Sequence, residues 1–235
     1  MSSNIERHCI ALGGLTGDEN TRAILGYALQ LTGTEEPEIG FLATASGDAP
    51  FFIERFHDTV RPLRCRPSHL PLFSRTPDIG QFLAGRQVLL VGGGNTLSML
   101  GAWQAWGLPE LLRSAWARGT VLIGWSAGAI CWFESGFSDA HAGRFSAIAG
   151  LGFLPGSCCP HYAQDAARRE EFDAAIAAGS VPPGWGIDSG SALHFRGTSA
   201  AAVLAPSGVE GARFVGAEST RAARPQLSRI EVPER

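Results

Sequence analysis

The sequence predicts an α/β fold: a mostly parallel sheet flanked by helices on both faces, with short antiparallel strands toward the C-terminus. Three observations lead there. Apolar runs of strand length alternate with amphipathic stretches of helix length through the first half of the chain. The strand runs are near-continuously apolar instead of alternating, as in parallel strands covered on both faces. Glycine and proline are frequent, 30 and 14 in 235 residues, with no collagen-like period, which suits many tight connections.

The elements follow in order. His8–Gly14 reads as a buried strand ending in a glycine turn, and Asp18–Leu31 carries Ile24, Leu25, Ala28 and Leu31 at helical spacing. Glu38–Thr44 is a second strand. Pro50–Val60 forms a helix with Phe52, Ile53 and Phe56 on one face. Gln87–Gly93 is a strong buried strand. Asn95–Trp106 and Pro109–Arg118 read as consecutive helices, the second opened by its proline. Thr120–Trp125 is another apolar strand, and Ala127–Phe133 begins a helix. Ala163–Ala178, rich in Ala, Arg and Glu, is a further helix. Trp185–Ile187, Ala192–Phe195, Ala201–Leu204, Ala212–Val215 and Leu227–Val232 are short strands, expected as antiparallel additions at the sheet edge. No linker or internal repeat is visible, so residues 1–235 read as one domain.

Composition narrows the function classes. Apolar residues make up 45% and charged residues 17%, which argues against a disordered chain. The net charge is −3, with 19 Lys and Arg scattered along the chain, so no basic field marks a nucleic-acid or membrane partner. The start does not read as a signal peptide, and no apolar run spans a bilayer. Five cysteines (Cys9, Cys65, Cys131, Cys158 and Cys159) without CxxC spacing speak against a disulfide framework or a zinc site. The expectation is a reduced, cytoplasmic protein without metal or organic cofactor.

Gly124-Trp125-Ser126-Ala127-Gly128 is the strongest motif: G-x-S-x-G after an apolar strand and before a helix. Small residues on either side permit a sharp turn that lifts the Ser126 hydroxyl above the sheet. The Ala127 amide then faces a developing oxyanion near a helix N-terminus. Alone, the pattern also fits a glycine-bracketed turn with a serine cap. Gly92-Gly93-Gly94-Asn95-Thr96 again joins a strand to a helix. It lacks the lysine of a P-loop and the spacing of a dinucleotide fingerprint. Beside Ser126 it would add a second oxyanion donor, while an ordinary turn with an Asn cap explains it equally well.

A nucleophilic serine needs a base and the base an orienting acid. Of six histidines, His161 in Cys159-Pro160-His161-Tyr162 follows an apolar segment at a proline-restrained turn. His141 is the alternative, in a segment of small polar residues that reads as a loop. Candidate acids are Glu134 and Asp139 after the elbow, with Asp139 in a loop able to fold over the site, and Asp188 at the end of a short apolar strand. Each is equally readable as a loop cap. Trp125 and Trp132 read as core or pocket wall. Arg144, Arg168 and Arg169 are candidate selectors of a substrate carboxylate, though the last two also read as a solvated helix face.

Taken together, Val91–Thr96 (VGGGNT), Ile123–Ala129 (IGWSAGA), Cys159–Tyr162 (CPHY) and Gly186–Gly190 (GIDSG) resemble serine peptidase family S51. This is the peptidase E or aspartyl dipeptidase group, related in fold to class I glutamine amidotransferases and to cyanophycinase. The resemblance runs from about Ile10 to Phe195, with the motifs in the family's order and near its spacing. It implies Ser126 as nucleophile, His161 as base, and the Gly94 and Ala127 amides as oxyanion hole. It implies substrate contacts at Asn95, Thr96 and Tyr162. Asp139 matches an aspartate implicated in that family, if a short gap is allowed before His161. The family's third triad member is a glutamate whose aligned position here is Ser189, with Asp188 one residue earlier. Asp188 orients His161 from a shifted position, or the triad is completed otherwise. The implied activity is hydrolysis of short peptides of the dipeptidase or tripeptidase type, Asp-X among them. A cyanophycinase-like isopeptide hydrolase and an inactive binding protein of the same fold are the alternatives. Related folds often self-associate, so a homodimer stays an open expectation.

Overall fold

The protein is described by a computed structural model covering residues 5–141, 144–216 and 227–234. Residues 1–4, which open the stretch examined for a leader, lie outside that description. The chain runs β1 (His8–Leu12), α1 (Asp18–Gln30), β2 (Glu38–Leu42), α2 (Pro50–Val60), β3 (Arg66–His69), α3 (Ile79–Ala84) and β4 (Val88–Val91). It continues α4 (Thr96–Ala105), α5 (Leu108–Ala117), β5 (Val121–Trp125), α6 (Ala127–Ile130), β6 (Phe133–His141), β7 (Arg144–Ala149) and β8 (Leu154–Pro160). Then come α7 (Ala166–Ala177), β9 (Gly184–Ile187), β10 (Ala192–Arg196), β11 (Ser199–Ala205), β12 (Ala212–Val215) and β13 (Ser228–Glu231).

The larger sheet has the order β13-β11-β10-β1-β5-β4-β2-β3, and its half from β1 to β3 is parallel throughout. β10 pairs antiparallel with β1, and β11 with β10, but β13, expected as an antiparallel addition over Leu227–Val232, pairs parallel with β11, because the chain returns to the sheet edge by a long crossover and not by a hairpin. The near-continuous apolar runs have a direct cause. Ile10, Leu12, Leu90 and Ile123 face α1 and α2, while Cys9, Ala11, Leu89 and Leu122 face α4, α5 and the second sheet. Both faces are covered, so the middle of each of these strands is left almost wholly to apolar residues. Local signals set the helix starts. Pro50 opens α2, Asn95 caps α4 by accepting from the Ser98 N–H, and Asp165 caps α7 by accepting from the Arg168 N–H.

The departures from expectation lie mostly in the second half. A second sheet of order β12-β9-β8-β6-β7 packs against the first through Phe133, Leu154, Cys158, Trp185 and Ile187. Gly184–Ile187 and Ala212–Val215 belong to it and are not additions to the main sheet edge. The helix expected over Ala127–Phe133 stops at Ile130, and Phe133–His141, where Asp139 and His141 were read as lying in loop, is a strand of 9 residues. Its burial pattern is irregular, because it pairs antiparallel with β7 on one side and parallel with β8 on the other. β3 and α3 went unread because one is a short polar edge strand and the other spans only six residues.

Parallel strands all end at the same edge, so β1, β5 and β4, neighbours in the sheet, deliver three turns to one place. These are Gly13–Gly14, Ser126 and Gly92–Gly94.

Candidate active site

Ser126 follows β5 with φ 54° and ψ −114°, a left-handed conformation unusual for a residue with a side chain. The turn is held by its own hydrogen bonds. The Ser126 N–H donates to the Leu12 carbonyl at 3.1 Å, and the Ser126 carbonyl accepts from Ala129 at 2.9 Å and Ile130 at 3.0 Å. A Cβ on Gly128 would collide with the Val91 carbonyl, so the close approach of α6 to β4 requires glycine there.

His161 directly follows β8, also with positive φ, 58°. Its N–H donates to the Gly13 carbonyl at 3.1 Å, and its carbonyl accepts from Asp165 at 2.9 Å. The imidazole lies over Gly14, where any Cβ would strike the ring. In this position Nε2 is 3.1 Å from the Ser126 Oγ, and Nδ1 is 2.8 Å from the Ser189 Oγ. Burial, helped by the charge of Arg168, holds the His161 imidazole below its ordinary pKa, against the opposing pull of Asp165 and Asp139.

None of the three candidate acids is hydrogen-bonded to the His161 ring among the described residues. Asp188 is buried and turned to the far side, where its Oδ1 accepts from the Ala163 N–H at 3.0 Å. Burial raises its pKa, and hydrogen bonds from Ala163 and Gly211 offset part of that. Asp139 sits on β6, not in a loop, and pairs with Arg168 at 3.4 Å. It reaches His161 only through space. The atom that meets Nδ1 belongs to Ser189, whose own N–H donates to Gln164 Oε1 at 2.7 Å.

The three expected substrate contacts are hydrogen-bonded within the protein. Asn95 caps α4 and donates to the Ala140 carbonyl at 3.1 Å. Thr96 is buried, with its hydroxyl 3.4 Å from that of Ser138. Tyr162 is buried and donates to the Asp173 carboxylate at 2.9 Å. Of the candidate arginines, Arg168 is buried between Asp139 and Asp165 and lies over the Phe145 ring. Arg169 lines a different cavity together with Tyr162 and Asp188, and Arg144 lies on β7. Glu134 accepts from the Gly156 N–H at 2.8 Å, and His141 ends β6.

The cleft that opens on Ser126 and His161 is lined by Leu15, Thr16, Phe52, Arg55, Gly93, Gly94 and Trp125. Leu15, Thr16 and Arg55 had no signal in the sequence. Phe52 was read only as part of one apolar helix face, because helical spacing marks such a face without telling core from cleft.

A serine on a tight strand-to-helix turn, within hydrogen-bond distance of a histidine, on the carboxyl edge of a parallel sheet, is the arrangement of a serine hydrolase. Comparison with known proteins narrows this. The sequence pattern of peptidase family S51 matches residues 9–203. The chain is 43% identical to the uncharacterized peptidase YgaJ of Bacillus subtilis (strain 168), over 78% of this chain and 80% of that one. It is 32% identical to peptidase E of Shewanella oneidensis over 52% of this chain and 55% of that one. The crystal structure of a peptidase from an acI-B1 Actinobacterium superposes with a TM-score of 0.69, covering 92% of this chain and 97% of the other at 15% identity. That likeness shows the fold. The chain belongs to peptidase family S51: it is a serine peptidase, a hydrolase whose substrate is a peptide. Among the described residues no helix is long and apolar enough to cross a membrane.

Proposed function

We propose that the protein hydrolyses short peptides through an acyl-enzyme on Ser126, with His161 as general base. One observation carries the reading: Ser126, held at positive φ on its turn, lies 3.1 Å from His161 Nε2. His161 takes the hydroxyl proton as Oγ attacks the scissile carbonyl, then gives it to the leaving amine. Water repeats the cycle to release the acyl group. The Gly94 and Ala127 N–H groups stabilise the oxyanion. In support, neither has a hydrogen-bond acceptor among the described residues, and Gly94 lines the cleft.

Ser189 takes the orienting place. A hydroxyl oxygen accepting from Nδ1–H fixes the tautomer in which Nε2 is free to accept the Ser126 proton. It supplies no negative charge to stabilise the imidazolium. Together with burial and Arg168, that keeps His161 neutral to lower pH than a carboxylate partner would. The base form is required, so kcat/KM falls as pH drops through the His161 pKa, and this limb lies below the ordinary histidine value of 6.5.

The test is amino-acid release from free, N-blocked and C-amidated di- and tripeptides, Asp-X included. Wild type is run beside Ser126→Ala. Cleavage lowered by several orders of magnitude in the variant is the expected result, and retained cleavage would sink the mechanism. Blocked substrates report which terminus is read. Release only from an isopeptide would assign the alternative substrate class.

A further inference from the structure

A second, more enclosed cavity lies beside the Ser126 cleft, between α1 and α2 and above β4 and β5. It shares Leu15, Phe52, Arg55 and Trp125 with the cleft. Its inner walls are Leu25 from α1, Phe56 and Thr59 from α2, and Leu90 from β4. Asp18, Thr21 and Leu25 on α1, and Phe52, Phe56 and Thr59 on α2, recur at helical spacing, so two helix faces meet across a gap that packing has not closed. Trp125, the common wall, is stacked on Phe41 and precedes Ser126 in the chain, which ties the cavity to the reactive hydroxyl.

Two features indicate what such a cavity accepts. Its charged residues are Asp18 and Arg55, and these pair with each other at 3.3 Å. An acidic side chain entering there meets a cation already engaged, and otherwise mostly hydrocarbon. The space open to water-sized groups is about 30 Å³, room for about two of them, such as the two methyls at the end of a branched aliphatic side chain, and too little for an aromatic ring.

We infer that this cavity is the peptidase's side-chain pocket, taking the small aliphatic side chain of a residue that flanks the scissile bond. This rests on Ser126 as the nucleophile and goes further, because it directs selectivity to Ala, Val and Leu and away from Asp.

The test places Ala, Val, Leu, Phe and Asp in turn on each side of the scissile bond of otherwise fixed peptides. It compares wild type, Thr59→Leu, Leu25→Ala and Ser126→Ala. At one of the two positions, Val and Leu are cleaved at least about tenfold better than Phe and Asp, as expected for a shaped apolar pocket. Thr59→Leu fills the cavity and lowers the Leu-to-Ala ratio of kcat/KM about tenfold. Leu25→Ala enlarges it and raises the Phe-to-Leu ratio. Ratios within one preparation do not depend on how much of it is folded, and a general loss of structure does not move them in these two defined directions. Ser126-dependent cleavage with ratios unchanged in both pocket variants, or with Asp preferred at both positions, would overturn the pocket alone. Cleavage that survives in Ser126→Ala, or no cleavage of any peptide, would overturn the nucleophile assignment and the pocket with it.

Discussion

A hydroxyl at His161 Nδ1 has consequences that a carboxylate would not. Ser189→Ala removes one neutral hydrogen bond of about 1 kcal/mol, so kcat should fall about five- to tenfold, far less than for loss of Ser126. Ser189→Glu places a negative charge beside the imidazole and should move the acidic limb of the pH–rate profile upward. A profile unmoved by both substitutions would remove Ser189 from the relay. Ser126 and His161 were legible because each sits in a short motif with its own local geometry, an elbow and a proline-restrained turn. Their partner was not. Asp188 and Ser189 are adjacent in the turn that follows β9, and the path of that turn decides which one faces the imidazole. Asp188 is claimed by the Ala163 amide, which leaves Ser189 on the site side. Asn95, Thr96 and Tyr162, expected as substrate contacts, each make hydrogen bonds within the protein that hold the neighbouring motif up.

At the level of elements, the elbow depends on how closely α6 approaches β4. Gly128→Ala drives a Cβ into the Val91 carbonyl and should cost about 1–3 kcal/mol, because the obstacle is backbone. Gly101 lies inside α4 with nothing near the position of its absent Cβ, so Gly101→Ala should stabilise by about 0.4–1 kcal/mol. Denaturant midpoints of the two variants should therefore move in opposite directions. If Gly128→Ala left stability unchanged, the elbow would not be packed as described. The parallel half of the main sheet was readable because burial on both faces writes a plain apolar run. β6 was not, since strands on both sides and its short buried stretches replace simple alternation, and glycine at Gly136 interrupts it. Trp185–Ile187 and Ala212–Val215 were recognised as strands but given to the wrong sheet, because a strand's partners are set by the tertiary fold and not by its own residues.

Across the whole molecule, the two sheets share one apolar core in which Phe133, Leu154 and Trp185 lie with Trp103, Leu112 and Phe195. We propose on that basis that they unfold as one unit, as expected for a single domain. A second feature sets how this unit responds to acid. His194 on β10 is fully buried, with Nε2 3.0 Å from His8 Nδ1 and Nδ1 2.9 Å from the Tyr27 hydroxyl. Burial, and then the neighbouring His8 and Arg196, lower its pKa to about 4. Below pH 6.5 the unfolded chain takes up this proton before the native protein does. Stability should thus fall by about 1.4 kcal/mol per pH unit from 6.5 toward 4, about 3 kcal/mol in all. His194→Gln should flatten that slope, and an equally steep variant would assign the acid sensitivity elsewhere. The central claim remains the reactive pair at the edge of the main sheet, and covalent labelling by a serine-directed phosphonate, followed by peptide mapping, tests it most directly. The account predicts a single adduct on Ser126, formed much more slowly in His161→Ala. A folded protein that forms no adduct, or forms it at another serine, would contradict it.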